Sequence, residues 1–220
     1  MSSTFSVGAM NQLADALEKA GFTPEHITKL KQFKDLELIR DLLDGKATIT
    51  TKAVETLIQH ISSVTIHAQD RFFAKEGFKL KSDGGPCSYL GDNFEKWFLQ
   101  GDGKVEEPIP EMVLDYAKLL RSSKDGSVIT SLGGEKVVEA KLSSILCLMS
   151  QQEKGQDGTL ITNGYANIFY VEDINGALRA VRVVWEGDGW GVSACSVEGP
   201  YGWLVGFRVF SRKSSEALKV

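Results

Sequence analysis

The strongest constraint on this chain lies between residues 167 and 212, where short β-branched and aromatic runs alternate with glycine-rich breaks. The runs are Ile168-Phe169-Tyr170-Val171, then residues 178–185, then 190–197; the breaks are Asn175-Gly176 and Glu186-Gly187-Asp188-Gly189. Such a pattern predicts antiparallel hairpins. Asn175 and Gly176 both tolerate positive φ, so that break predicts a type I′ turn. Side chains alternate across a strand, which sets Val192, Ala194 and Ser196 on one face and Gly191, Ser193 and Cys195 on the other. The first face suits a core, the second solvent or a ligand. Residues 198–206 then form a loop carrying Tyr201, Trp203, Leu204 and Val205, and 207–212 reads as a closing strand. A loop that apolar is either packed down or waiting for a partner.

The first part of the chain has a helical period instead. Residues 10–19 set Leu13, Ala14, Ala16 and Leu17 on one face before Gly21. Thr23-Pro24-Glu25 supplies an N-cap, a proline at the first helical position and an acid in the first turn. Two more helices are expected over residues 35–43 and 51–62, the last with Val54, Leu57, Ile58 and Ile61 as its stripe. Stripes this short and narrow are stable only when packed on one another. Residues 1–68 therefore read as a small all-α module for attachment, regulation or homo-oligomerisation. Residues 69–103 change character, being aromatic and punctuated by glycine. Helices are expected over 111–121, with Val113, Tyr116, Ala117 and Leu120 inward, and over 135–152, with Val138, Leu142, Ile145, Leu146 and Met149. Two helices followed by antiparallel strands give an α+β domain over 69–213, with 214–220 as a tail.

A net charge of −4 argues against a nucleic-acid footprint, which is normally basic. The three cysteines, Cys87, Cys147 and Cys195, are widely spaced, which indicates neither a disulfide framework nor a zinc knuckle. With no signal-peptide pattern at the N-terminus and no apolar run near the ~18 residues of a membrane span, the expected location is the cytoplasm, away from membranes. His26, His60 and His67 all fall in the expected helical module, and His60 and His67 lack a third ligand at helical spacing. Asp102-Gly103-Lys104 and Gly187-Asp188-Gly189 read as turns, since neither carries the ligand alternation of a calcium loop. No metal or cofactor is implied. Cys195 has the outward parity, so an enzyme using Cys195 or a carboxylate such as Glu186, Asp188 or Glu198 is the competing reading; it lacks a nearby histidine as base.

Residues 190–212, Trp190-Gly191-Val192-Ser193-Ala194-Cys195-Ser196-Val197 through Val209-Phe210-Ser211-Arg212, resemble the C-terminus of the variable proteins of bacterial diversity-generating retroelements. They also resemble a related group of bacterial proteins ending in similar Val-Phe-Ser-Arg segments. The resemblance is clearest over 160–212. It implies a C-type-lectin-like C-terminal domain, two helices on a twisted antiparallel sheet, that displays a variable surface to a protein or other macromolecular ligand without catalysis. It implies that Trp190, Val192, Ala194, Ser196, Val197, Pro200, Trp203, Gly206, Val209 and Phe210 are framework. The displayed, ligand-binding positions it implies are Glu186, Asp188, Gly191, Ser193, Cys195, Tyr201, Gly202, Leu204, Val205, Phe207 and Arg208. The calcium-dependent sugar signatures of animal C-type lectins are absent, so calcium-borne sugar binding is not implied.

Overall fold

The computed structural model describes residues 6–32, 36–47 and 56–213, so the expected tail at 214–220 lies outside the described residues. The chain divides into two compact units, residues 1–54 and 55–220. The first holds helices α1 (Val7–Lys19), α2 (Pro24–Gln32) and α3 (Leu36–Leu43), close to the sequence expectation. The Ser6 hydroxyl caps α1 by accepting the Ala9 N–H at 3.1 Å. None of the three helices contains a buried residue. Apolar side chains of these helices, among them Met10, Leu13, Leu17, Ile27 and Leu30, line an open groove instead, joined by Phe22 from the α1–α2 connection.

The second unit begins with β1 (Ile58–Ile66), β2 (Phe72–Phe73), α4 (Ala74–Gly77), β3 (Cys87–Leu90) and α5 (Asp92–Phe94), which runs on into a π-helical turn at Glu95–Leu99. It continues with β4 (Val105–Glu106), β5 (Met112–Leu119), α6 (Asp125–Ser131), α7 (Glu135–Val138) and α8 (Leu142–Ser150). The last strands are β6 (Asn167–Glu172), β7 (Leu178–Trp185), β8 (Trp190–Ser196) and β9 (Arg208–Arg212). Seven of the strands form one sheet in the order β1-β5-β9-β6-β7-β8-β3, antiparallel except at β6/β9 and β3/β8. The unit is thus α+β with a large, mostly antiparallel sheet.

Both faces of that sheet are covered. Phe169, Val171, Val181, Val183, Val192 and Phe210 join one core, which α8 closes with Leu142, Ile145, Leu148 and Met149. Ile168, Tyr170, Ala180, Val184 and Val209 join a second core with Val128 and Ile129 of α6. A strand buried on both sides reads as an unbroken apolar run, as Ile168-Phe169-Tyr170-Val171 does.

The hairpins β6–β7 and β7–β8 pair as expected, with Asn167 opposite Val183 and Trp185 opposite Trp190. The turn between β6 and β7 is not type I′, because no non-glycine residue described has positive φ. The Asp173 N–H donates to the Ala177 carbonyl, the Gly176 N–H donates to the Asp173 carbonyl, and Gly176 alone is left-handed, at φ 78°. That is a three-residue loop with glycine at its bulge position. The Asp173 carboxylate selects it by accepting the Asn175 and Ala177 N–H groups at 2.8 and 3.0 Å and Arg179 Nε at 2.8 Å. Burial raises the Asp173 pKa, but these donors outweigh it and hold the carboxyl below the usual range.

Three expected helices are corrected. Residues 58–62 of the fourth helix belong to β1, an edge strand paired antiparallel with β5; residues 51–55 of it lie outside the described residues. The boundary between units therefore precedes β1, at 54/55, rather than following it at 68/69. Residues 112–119 of the expected helix 111–121 form β5, held between β1 and β9. Met112, Leu114 and Tyr116 face one core and Ala117 and Leu119 the other, so apolar residues of both parities imitate a helical stripe. The helix over 135–152 is broken at 139–141, where the Ala140 N–H donates to the Tyr170 carbonyl at 2.7 Å. α8 then restarts on the buried Glu106 carboxylate, which accepts the Leu142 and Ser143 N–H groups at 2.8 and 2.9 Å.

Candidate functional site

Between β8 and β9 the chain makes a loop that is fixed in place yet uncovered. The Trp203 N–H donates to the Ser123 carbonyl at 2.8 Å, and the Ser123 N–H returns a bond to the Trp203 carbonyl at 3.0 Å. Three residues on, the Gly206 N–H donates to the Leu119 carbonyl at 2.8 Å and the Leu119 N–H to the Phe207 carbonyl at 2.9 Å. The Trp203 ring is buried, and its Nε1–H donates to Asp125 Oδ1 at 2.6 Å. Between and beside these anchors Tyr201, Leu204 and Val205 remain 78%, 58% and 51% exposed. Leu120, next to the Leu119 bonds, and Tyr165, edge-on to Phe207 with ring centroids 5.9 Å apart, are exposed as well.

Beneath this loop lies a cavity of about 230 Å³. Its walls are Asn93, Trp97, Asp125, Cys195, Ser196 and residues 199–203. Trp97 projects from the π-helical turn, an irregularity often found at functional positions. The Arg179 guanidinium covers the Trp97 ring 4.1 Å from its centroid, and the Ile174 N–H donates to the Trp97 carbonyl at 3.1 Å, so the β6–β7 loop fixes this wall. Asp125 is 2% exposed and accepts the Tyr170 hydroxyl at 2.8 Å on the same Oδ1 that takes Trp203. Burial raises its pKa against the pull of those two bonds.

The eleven positions implied by the resemblance fall into separate places. Tyr201, Gly202 and Cys195 border the cavity, and Leu204 and Val205 stand exposed on the fixed loop. Glu186 and Asp188 are exposed in the β7–β8 turn, at the other end of a seven-residue strand from Ser196. At roughly 3.3 Å per residue that strand separates the two ends by about 20 Å. Gly191 is buried rather than displayed, and a Cβ there would run into the Glu186 carboxyl. Ser193 is half-buried beside Gly91. Phe207 is half-buried against Tyr165 and Trp203, and Arg208 is half-buried with its guanidinium donating to the Gly158 and Thr159 carbonyls. The split by parity holds, with Val192 and Ala194 in one core, but the opposite face is occupied by a second core on which Cys195 packs.

Cys195 is a poor nucleophile in this setting. Burial, with the Asp125 charge acting the same way, pushes its thiol up to about 11 against the opposing influence of Arg182, so the thiolate is scarce at neutral pH. No histidine lines the cavity. His60 lies on β1 instead of the expected helix over 51–62, 3.8 Å from Asp115, and His67, just after that strand, meets Glu111 at 3.0 Å. Glu186 accepts the Ser88 hydroxyl at 3.4 Å, and Asp188 faces Lys81 at 3.8 Å. Among the described residues no group of three or more His, Cys, Asp or Glu is placed to hold a metal, and no helix is long and apolar enough to cross a membrane.

Asp125, Trp97 and Asn93 carried no sequence signal. Asp125 sits in Ser122-Ser123-Lys124-Asp125-Gly126, which reads as an ordinary turn, and its partner Trp203 is 78 residues away. Comparison with known proteins finds no family model, no curated protein and no solved structure that matches this chain.

Proposed function

We propose that this is a non-enzymatic binding protein whose second unit presents the 199–207 loop as a ligand surface, as the variable proteins of diversity-generating retroelements do. The observation that supports it is the contrast within that loop. Backbone bonds at Trp203 and Gly206 order the chain, while Tyr201, Leu204 and Val205 stay in solvent. Ordered, exposed apolar groups contribute to binding without a further ordering cost, which is how a preorganised surface gains affinity. The finer C-type-lectin-like assignment is part of the same proposal; its support is the β6–β7–β8 meander that leads into the loop, with helices α6 to α8 ahead of it in the chain. The ligand that exposed apolar side chains on an ordered loop suit is a protein or other macromolecule.

The test compares full-length wild type with Tyr201→Ala/Leu204→Ala/Val205→Ala in affinity capture from the source cell. The expected triple variant melts within about 3 °C of wild type, since surface truncations cost little, and loses the proteins that wild type retains. Retention of the same proteins in the same amounts overturns the reading.

A second, separate reading concerns the first unit. Three helices without a buried residue cannot hold themselves by packing alone, and a groove lined by Leu13, Leu17, Ile27 and Leu30 is apolar enough to pair with its own copy. We propose homo-oligomerisation through it. Light scattering is expected to give a dimer or larger for the full chain and a monomer for Leu13→Glu/Leu17→Glu; a wild-type monomer at 100 μM or so, well above typical weak-dimer constants, removes the reading.

A further inference from the structure

We propose that the cavity walled by Trp97, Tyr201 and Trp203 takes an alkylammonium group, with the charged head on Asp125 and the aliphatic stem along the aromatic walls. The inference rests on the proposed binding role of the 199–207 loop and names the chemistry its ligand presents.

Asp125 makes the case. It is a buried carboxylate that lines the cavity, and among the described residues it forms no ion pair. Among the described residues its side-chain partners are the neutral donors Tyr170 and Trp203. Buried carboxylates are rarely left without a cation, because neutral donors offset only part of the lost hydration. Both side-chain donors converge on Oδ1, and among the described residues the only other hydrogen bond on this carboxylate comes from the backbone N–H of Asp125 itself. Oδ2, which no described side chain reaches, keeps acceptor capacity for a single N–H of an ammonium; a guanidinium prefers a two-oxygen fork, and Oδ1 is already taken twice. Arg182, the cation that acts on Cys195, is not among the residues lining the cavity.

The walls and the size agree. Aromatic faces attract cations, and Trp97 already does so toward Arg179 on one side. The 230 Å³ of the cavity has room for about seven waters at roughly 30 Å³ each, enough for a five-atom chain such as n-butylammonium. The same chemistry has two sources, a small free amine and the side chain of a lysine on a partner protein.

The probe is n-butylammonium chloride titrated into the full-length protein at constant ionic strength, read by tryptophan fluorescence and by NMR shifts of the indole N–H groups. n-Butanol serves as the neutral isostere. The expected result is binding about tenfold tighter for the ammonium than for the alcohol, a preference that Asp125→Asn abolishes. Tyr201→Ala, at an exposed position, is expected to weaken both ligands while leaving the fold intact. Equal binding of the two probes, or an ammonium preference that survives Asp125→Asn, overturns the inference. Should Asp125→Asn not fold, unchanged ammonium binding in Tyr201→Ala overturns it instead. Competition by Nα-acetyl-lysine N-methylamide assigns the lysine source, and its failure beside n-butylammonium binding assigns the free amine. The failures are separable: Leu204→Ala/Val205→Ala leaves the cavity intact, so partner loss without any amine binding removes this inference alone. Amine binding with unchanged partner capture in the triple variant removes the surface reading.

Discussion

Replacing Trp190 by alanine is expected to destabilise the second unit by about 3–5 kcal/mol, the range for a large aromatic removed from a tight core. At roughly 2–4 °C per kcal/mol for a domain of this size, the melting temperature falls by about 6–20 °C. Trp190 is 1% exposed and opens β8. Its Nε1–H donates to the Met149 carbonyl at 3.1 Å, tying the sheet to the last turn of α8, and its ring meets Trp185 edge-on at 5.1 Å. Truncation therefore leaves a cavity and removes the indole bond to the Met149 carbonyl, which keeps the Gln152 N–H at 3.1 Å. Trp190→Phe separates the two effects: most of the apolar contact remains and only the hydrogen bond is lost, at a cost of about 1–2 kcal/mol. Urea unfolding followed by circular dichroism measures both. A Trp190→Ala protein as stable as wild type contradicts the place given to this residue in the core.

The same residue shows where sequence pattern suffices and where it fails. Trp190, Val192 and Ala194 alternate in a run bounded by glycines, and both the hairpin and the inward face follow from that local pattern. β9 is local too, but its place is not: it inserts between β5 and β6 instead of beside β8, a choice made by partners far away in the chain. Residues 112–119 misled because a strand covered on both faces carries apolar residues of both parities. The helix over 135–152 broke for reasons outside its own sequence, namely the Tyr170 carbonyl that captures Ala140 and the Glu106 carboxylate that restarts α8. The exposure of Tyr201 and Leu204 could be read from the sequence, since apolar groups in a glycine-rich loop have few neighbours to cover them. The cavity under them was not, because Asn93 and Trp97, Asp125, and Trp203 come from three distant segments. Phe207 and Arg208 show the converse error: adjacent in sequence to the displayed loop, they are turned inward by Tyr165, Trp203 and the 158–159 carbonyls.

Asp125→Ala is expected to be the most damaging polar substitution in the second unit, at about 2–5 kcal/mol, because it orphans two buried donors at once. The Tyr170 hydroxyl belongs to a fully buried ring on β6, and the Trp203 indole to a nearly buried one on the β8–β9 loop; both lose their acceptor. Asp125→Asn keeps a carbonyl oxygen for the same two donors and is expected to cost about 1 kcal/mol or less. The pair differs further in pH dependence. Burial raises the Asp125 pKa above its ordinary 3.8, so folding takes up a proton between 3.8 and that raised value. The contribution of Asp125 to stability is therefore fully present below 3.8 and is lost as pH rises through the folded pKa. Wild type should gain stability relative to Asp125→Asn as pH is lowered through this window, with the difference levelling off on either side. Thermal melts of both proteins at closely spaced pH values measure it. A difference that stays flat means that the hydrogen bonds on the carboxylate balance its burial, and one that runs the other way means that they outweigh it.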